Sequence, residues 1–132
     1  MAKTKDWNSE GVRIEVDDDQ AEISSKAYGD PPPPSNFKII RKLINFEVKV
    51  SGENKQVPTT FVACYTAADA SAAGGANKLK LVMWSPDQNN WKNIPITKSV
   101  PVPAGFSGFA GAFEAKITAR WPDPPVAWGD SG

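Results

Sequence analysis

The chain has 132 residues, with 15 basic and 15 acidic side chains, a net charge of zero, one cysteine and no histidine. Its length suits one domain that buries about two-thirds of its unfolded surface, and its balanced charge supplies no field to gather nucleic acid or an anionic membrane. The absence of histidine excludes Ser-His-Asp and Cys-His catalysis, histidine zinc sites and imidazole acid–base chemistry.

Cys64 alone cannot form an intrachain disulfide, and within TTFVACYT it reads as a small packing residue. The polar start MAKTKDWNSE lacks a signal-peptide apolar core, which places synthesis and folding in a reducing cytoplasm. No apolar run approaches the ~20 residues of a membrane span. No cofactor is implied.

Val12, Ile14 and Val16 alternate with Arg13 and Glu15, the two-residue period of a strand with one buried face. It stops at Asp17-Asp18-Asp19, and Ala21 to Ser25 returns as a second short strand, so the pair reads as a hairpin. The acidic run with Glu22 offers oxygen ligands for calcium. Its spacing is not that of an EF-hand and adjacent strand residues point to opposite faces, which favours a solvated turn. The tract DPPPP, residues 30–34, reads as a stiff polyproline spacer.

The stretch Phe37 to Val50 is the expected central strand. Ile44, Phe46, Val48 and Val50 alternate with Asn45, Glu47 and Lys49, whereas Ile39 belongs to the odd phase. A β-bulge or bend between Ile39 and Ile44 produces such a shift; a short helix is the alternative. Lys38, Arg41 and Lys42 form the one basic cluster, read as a solvated strand face rather than a phosphate site.

Thr59 to Thr66 is apolar on both faces, with Phe61, Ala63 and Tyr65 against Val62 and Cys64, as in a doubly covered strand. AADASAAGGAN, 67–77, reads as a loop that is mobile or ordered by a partner. Lys78 to Trp84 and Trp91 to Ile96 form a hairpin about the turn SPDQNN. Pro95, Pro101 and Pro103 restrict ITKSVPVP to an edge or an extended connection. Ala112 to Trp121 alternates well; the ending PDPPVAWGDSG is too proline-rich for regular structure, yet Val126 and Trp128 predict that it docks on its own domain or on a neighbour. These elements predict an all-β chain: a single-domain antiparallel β-sandwich of seven or eight strands, immunoglobulin-like or jelly-roll, without the Cys…Trp…Cys pattern of true immunoglobulin domains.

Five tryptophans are many for this length. Trp84 and Trp91 flank a turn holding Asp87, Gln88, Asn89 and Asn90, so an exposed indole there would stack on a sugar while the polar groups bind its hydroxyls. The bland reading is a cross-strand aromatic pair. Trp7 and Trp128 near the termini suit subunit contacts. In GFSGFAGAF, Phe106, Phe109 and Phe113 either present anchors to a neighbour or close the core. Glu47 and Glu114 have residue type alone to recommend them as a carboxylate pair.

The expected function is a non-enzymatic structural or interaction subunit of a larger assembly, for example a virion or injection-device component, and a homo-oligomer or part of a host scaffold. Its contacts would come from arms 1–10 and 122–132, loop 67–77 and segment 105–113, with Trp7, Phe106, Phe109, Val126 and Trp128 foremost. The alternative is a carbohydrate-binding module using Trp84, Asp87, Asn89 and Trp91.

Overall fold

A computed structural model describes residues 3–25, 31–51, 57–85, 88–117 and 125–130. The strands are β1 (Lys3–Trp7), β2 (Val12–Val16), β3 (Ala21–Ser25), β4 (Ile39–Val50), β5 (Thr59–Tyr65), β6 (Leu79–Ser85), β7 (Asn90–Ile94), β8 (Ile96–Val100), β9 (Gly111–Ile117) and β10 (Pro125–Asp130). They form two antiparallel sheets of five, ordered β1-β2-β5-β9-β8 and β3-β4-β10-β6-β7. The all-β sandwich expected from alternation is therefore present, with ten strands among the described residues rather than seven or eight. Each sheet consists of a hairpin, a single inserted strand and a second hairpin, the inserted strands being β5 and β10.

The apolar phase shift in β4 has the cause expected of a bulge. Against β10, Ile44 pairs with Val126 but Lys42 with Ala127, and a second shift falls between Arg41 and Ile39. Each extra residue turns the alternation by one, so Leu43 and Ile44 are both buried although they are adjacent. No helix forms there.

Three expectations are corrected. β2 and β3 do not pair; the acidic turn carries the chain from one sheet to the other. Asp18 shapes that turn, its carboxylate accepting from Gln20 N at 2.9 Å and its carbonyl from Ala21 N at 3.1 Å. The stretch 67–77 is not a bare loop but a short helix, α1 (Ala67–Ala73), followed by a 3₁₀ turn (Ala76–Lys78). Thr66 Oγ1 accepts from Asp69 N at 3.0 Å while Asp69 Oδ2 accepts from Thr66 N at 2.9 Å, a reciprocal cap that starts the helix; Gly74, at φ 86°, ends it. The proline-rich ending does dock on its own domain, but over 125–130 as a regular strand rather than an irregular arm, since β10 lies between β4 and β6 in the middle of its sheet. Residues 118–121, expected to extend β9 to Trp121, lie outside the described residues, as do 1–2, 122–124 and 131–132.

The main core lies between the sheets, where Val12, Ile14 and Phe61 face Leu81, Met83 and Trp128, all at most 1% exposed. Each such side chain removed from water contributes roughly 1.5–3 kcal/mol. Both outer faces carry smaller clusters. On the β6 side Val82, Trp84, Trp91 and Ala127 are covered by Phe37 and Ile39; on the β5 side Cys64, Phe106 and Ala112 are covered by Val62, Val102 and Phe109. That is why β5 and β6 are apolar on both faces.

Candidate functional site

The densest polar arrangement in the interior is a seam where the sheets meet α1. Arg41, on β4, points its guanidinium across the gap. Its Nη2 reaches Asp69 Oδ2 at 2.9 Å and the Cys64 carbonyl at 3.2 Å, and its Nη1 reaches the Glu10 carbonyl at 3.1 Å. Trp128 Nε1 donates to the same Cys64 carbonyl at 3.0 Å, so β4, β10, β5, α1 and the β1–β2 turn are tied at one place. Tyr65 stacks on Phe113 at 5.3 Å, and both meet the edge of Trp128. Burial works to raise the Asp69 carboxyl, but the Arg41 bonds and the Thr66 amide outweigh it and hold it below the usual carboxylate range. Burial pushes the Cys64 thiol up to about 11, against weaker opposition from Arg13 and Arg41. A thiol held protonated in this way is no nucleophile. The seam is structural chemistry, and the basic cluster read at 38–42 does not converge, because Arg41 is turned inward.

The predicted sugar platform is not presented. Trp84 and Trp91 are a cross-strand pair, edge to face at 5.6 Å, only 7% and 8% exposed. Trp91 Nε1 donates to the Pro32 carbonyl at 2.9 Å, so the polyproline tract is tied to the pair rather than acting as a mere spacer, and Phe37 and Ile39 pack against the pair's cluster. Asn89 is exposed in the turn at φ 50°, and Asp87 lies outside the described residues.

Of the five expected contact residues, Val126 and Trp128 are buried within the chain's own core, and Phe106 is buried beneath its own loop. Segment 101–110 folds back on the outer face of the β5 sheet, held by Asn8 Nδ2 donating to the Gly105 carbonyl at 2.9 Å and Ala110 N to the Tyr65 carbonyl at 2.8 Å. The Arg13 guanidinium lies 5.7 Å from the Phe106 ring centre, itself held by Asp6 at 2.7 and 2.9 Å. Those bonds from Arg13 draw the Asp6 carboxyl below its usual range. Trp7 and Phe109 are half-buried at the rim. Glu47 and Glu114 stand on different sheets, beside Lys49 at 3.4 Å and Lys98 at 3.3 Å, and form no pair across a cleft. Among the described residues no group of three or more Asp, Glu or Cys side chains is placed to hold a metal. No helix among them is long and apolar enough to cross a membrane.

Two depressions lie among the described residues. One, of about 270 Å³, lies on the outer face of the β5 sheet, lined by Glu15, Asp17, Pro58, Thr59, Thr60, Lys116 and Ile117. The other, of about 330 Å³, opens between the edge strands β1 and β3 and is lined by Lys3, Thr4, Lys5, Ala21, Glu22 and Ile23. Lys3 and Lys5 stand opposite Val16 and Ile14, whose side chains are in the core, so both lysines lie on the inner face of β1 while remaining exposed. Sequence reading missed this cleft; the alternation of Lys3 and Lys5 with Thr4 and Asp6 was its one local signal.

Fold and surface together define a two-sheet antiparallel β-sandwich whose outer faces are partly covered by its own proline- and glycine-bearing segments. No protein-family model, curated protein or solved structure matches the chain.

Proposed function

We propose that this chain is a non-enzymatic interaction subunit of a larger protein assembly, for example a virion or injection-device component. One observation supports the reading: apolar surface on both sheet faces is covered from within, while the side between β1 and β3 stays open with Lys3, Lys5 and Glu22 on it. A surface of strand edges and mixed charge suits recognition by shape and main-chain pairing better than chemistry on a small substrate. The immunoglobulin-like description is kept as a broad analogy, two antiparallel sheets with the chain crossing repeatedly between them. Carbohydrate binding through Trp84 and Trp91 has no exposed ring to use, and no observation favours it.

The test is native mass, by light scattering on the purified chain and by sedimentation of the tagged chain in extract of its source cells. Migration well above the 14.2 kDa of one chain in either setting is the expected result. A 14.2 kDa monomer in both overturns the proposal.

A further inference from the structure

We infer that the cleft between β1 and β3 takes an extended acidic peptide segment, which adds as a strand to the edge of β3 that is unpaired among the described residues. This deepens the interaction-subunit reading and rests on it.

Four strands end their sheets: β1, β8, β3 and β7. Sheet edges invite pairing unless lysine, proline or a bulge blunts them. β8 carries Lys98 and a register shift and is flanked by Pro95 and Pro101. β7 carries Lys92 and ends at Pro95. β1 carries Lys3 and Lys5. β3, AEISS, has neither lysine nor proline and pairs with β4 in unbroken register from Ala21 to Ser25. It is the least protected of the four.

Charge identifies the occupant: two lysines, Lys3 and Lys5, outnumber the one carboxylate, Glu22, that lines the same cleft. Ala21 and Ile23 point inward from β3, while Lys3 and Lys5 point inward from β1 across the cleft. Among the described residues neither lysine makes an ion pair. An added strand would send alternate side chains into this space. Lys3 and Lys5 are two residues apart, roughly 7 Å along a strand, so acidic residues at positions i and i+2 of the incoming segment meet both. A second copy of this chain fits less well, because edge-to-edge docking would bring the lysines of both copies together and like charges in one site oppose association.

The probe is the acetylated, amidated peptide VTETETV, with lysine-bearing VTKTKTV as control, titrated into the full chain with backbone amide shifts followed by NMR. The acidic peptide is expected to bind at least about tenfold more tightly than the basic one, with shifts centred on residues 3–7 and 21–25. The double substitution Lys3→Glu, Lys5→Glu, on exposed side chains that leave the fold intact by circular dichroism, should reverse the preference. N-methylation of alternate amides along one edge of VTETETV should abolish binding and along the other edge should not, since only one edge joins the ladder. No shifts up to about 1 mM peptide, a preference unchanged in the double variant, equal tolerance of both N-methyl patterns, or the same shifts with tripolyphosphate would each overturn the inference. Concentration-dependent shifts at 21–25 without peptide would overturn it in favour of self-pairing. A large native complex together with any of these failures removes the cleft and leaves the parent reading standing; a monomer in every setting removes the parent.

Discussion

Arg41 and Asp69, 28 residues apart in sequence, meet across the seam between sheet and helix with three guanidinium–carboxylate contacts of 2.9 to 3.1 Å. The carboxylate is also the reciprocal cap of α1, so one buried group orients a helix and tethers a strand of the opposite sheet. Removing one partner of such a pair strands the other charge, which is costlier than the pair's net worth. Asp69→Ala is expected to cost about 2–3 kcal/mol, moderated because Arg41 keeps some access to water. Arg41→Met combined with Asp69→Ala should cost less than the sum of the two single changes; strict additivity in urea denaturation would show that the pair is not coupled.

The same carboxylate sets a pH dependence. Asp69 is held below its ordinary value of 3.8 in the folded chain. Its contribution is therefore fully present above that value and is lost as pH falls through the lower folded-state value, because the unfolded chain takes up the proton first. Urea midpoints measured from neutral pH down to pH about 3 should fall more steeply for the parent chain than for Asp69→Asn. Parallel curves would assign the acid sensitivity elsewhere.

β10 makes the end of the described chain a structural centre. Removing residues 122–132 is expected to abolish the folded state rather than release a monomer, because β4 and β6 would lose the strand between them. Trp128→Phe loses the bond to the Cys64 carbonyl and part of the indole's buried volume, for about 2 kcal/mol; Trp128→Ala should cost about 3–5 kcal/mol. A truncated chain with cooperative thermal unfolding and native-like circular dichroism would contradict this account.

How much of this was legible depended on whether the governing contact was local. Alternation located β2, β4, β6 and β9, a run apolar on both faces located β5, and the phase slip between Ile39 and Ile44 announced the bulges, because all are properties of neighbouring residues. The helix was hidden by its Ala/Gly composition, although Thr66 with Asp69 and Gly74 are start and stop signals. β10 was hidden by its prolines; yet Pro125 is the first residue of the strand, where its missing N–H does least harm. Whether Val12–Val16 and Ala21–Ser25 pair or part between two sheets is decided by long-range packing, and the turn reads alike in both cases. The burial of Trp84 and Trp91 depended on Phe37 and Ile39, and the anchoring of Trp91 on a carbonyl 59 residues away in sequence; the β1/β3 cleft depended on strands that belong to different sheets.

Cys64 reports on the loop that covers it. Its thiol is buried beside Phe106 and Ala112 and is raised to about 11, so little thiolate forms at neutral pH. Its reaction with a disulfide reagent at pH about 8 should be far slower in the native chain than in denaturant. Phe106→Ala should speed it by opening the cover, at a stability cost of about 3 kcal/mol. Rapid labelling of the native parent chain would mean that segment 101–110 does not seat as described.

Gly11 tests the same seating from the other side. It turns the chain between β1 and β2 at φ 75°, donates to the Trp7 carbonyl at 2.9 Å and accepts from Cys64 N at 2.7 Å. A Cβ there would fall 2.6 Å from the Phe109 ring and 3.0 Å from Cys64 Cβ. Gly11→Ala therefore carries a left-handed backbone penalty of about 1 kcal/mol and an overpacking penalty of about 1–3 kcal/mol. Phe109→Ala removes the closer obstacle, so the double variant should cost less than the two single changes added, leaving mainly the backbone part and the loss of Phe109 itself. Strict additivity would mean that Phe109 does not rest on Gly11 in solution; its ring would then be free for a partner, and the expectation that Phe109 is a contact residue would regain force.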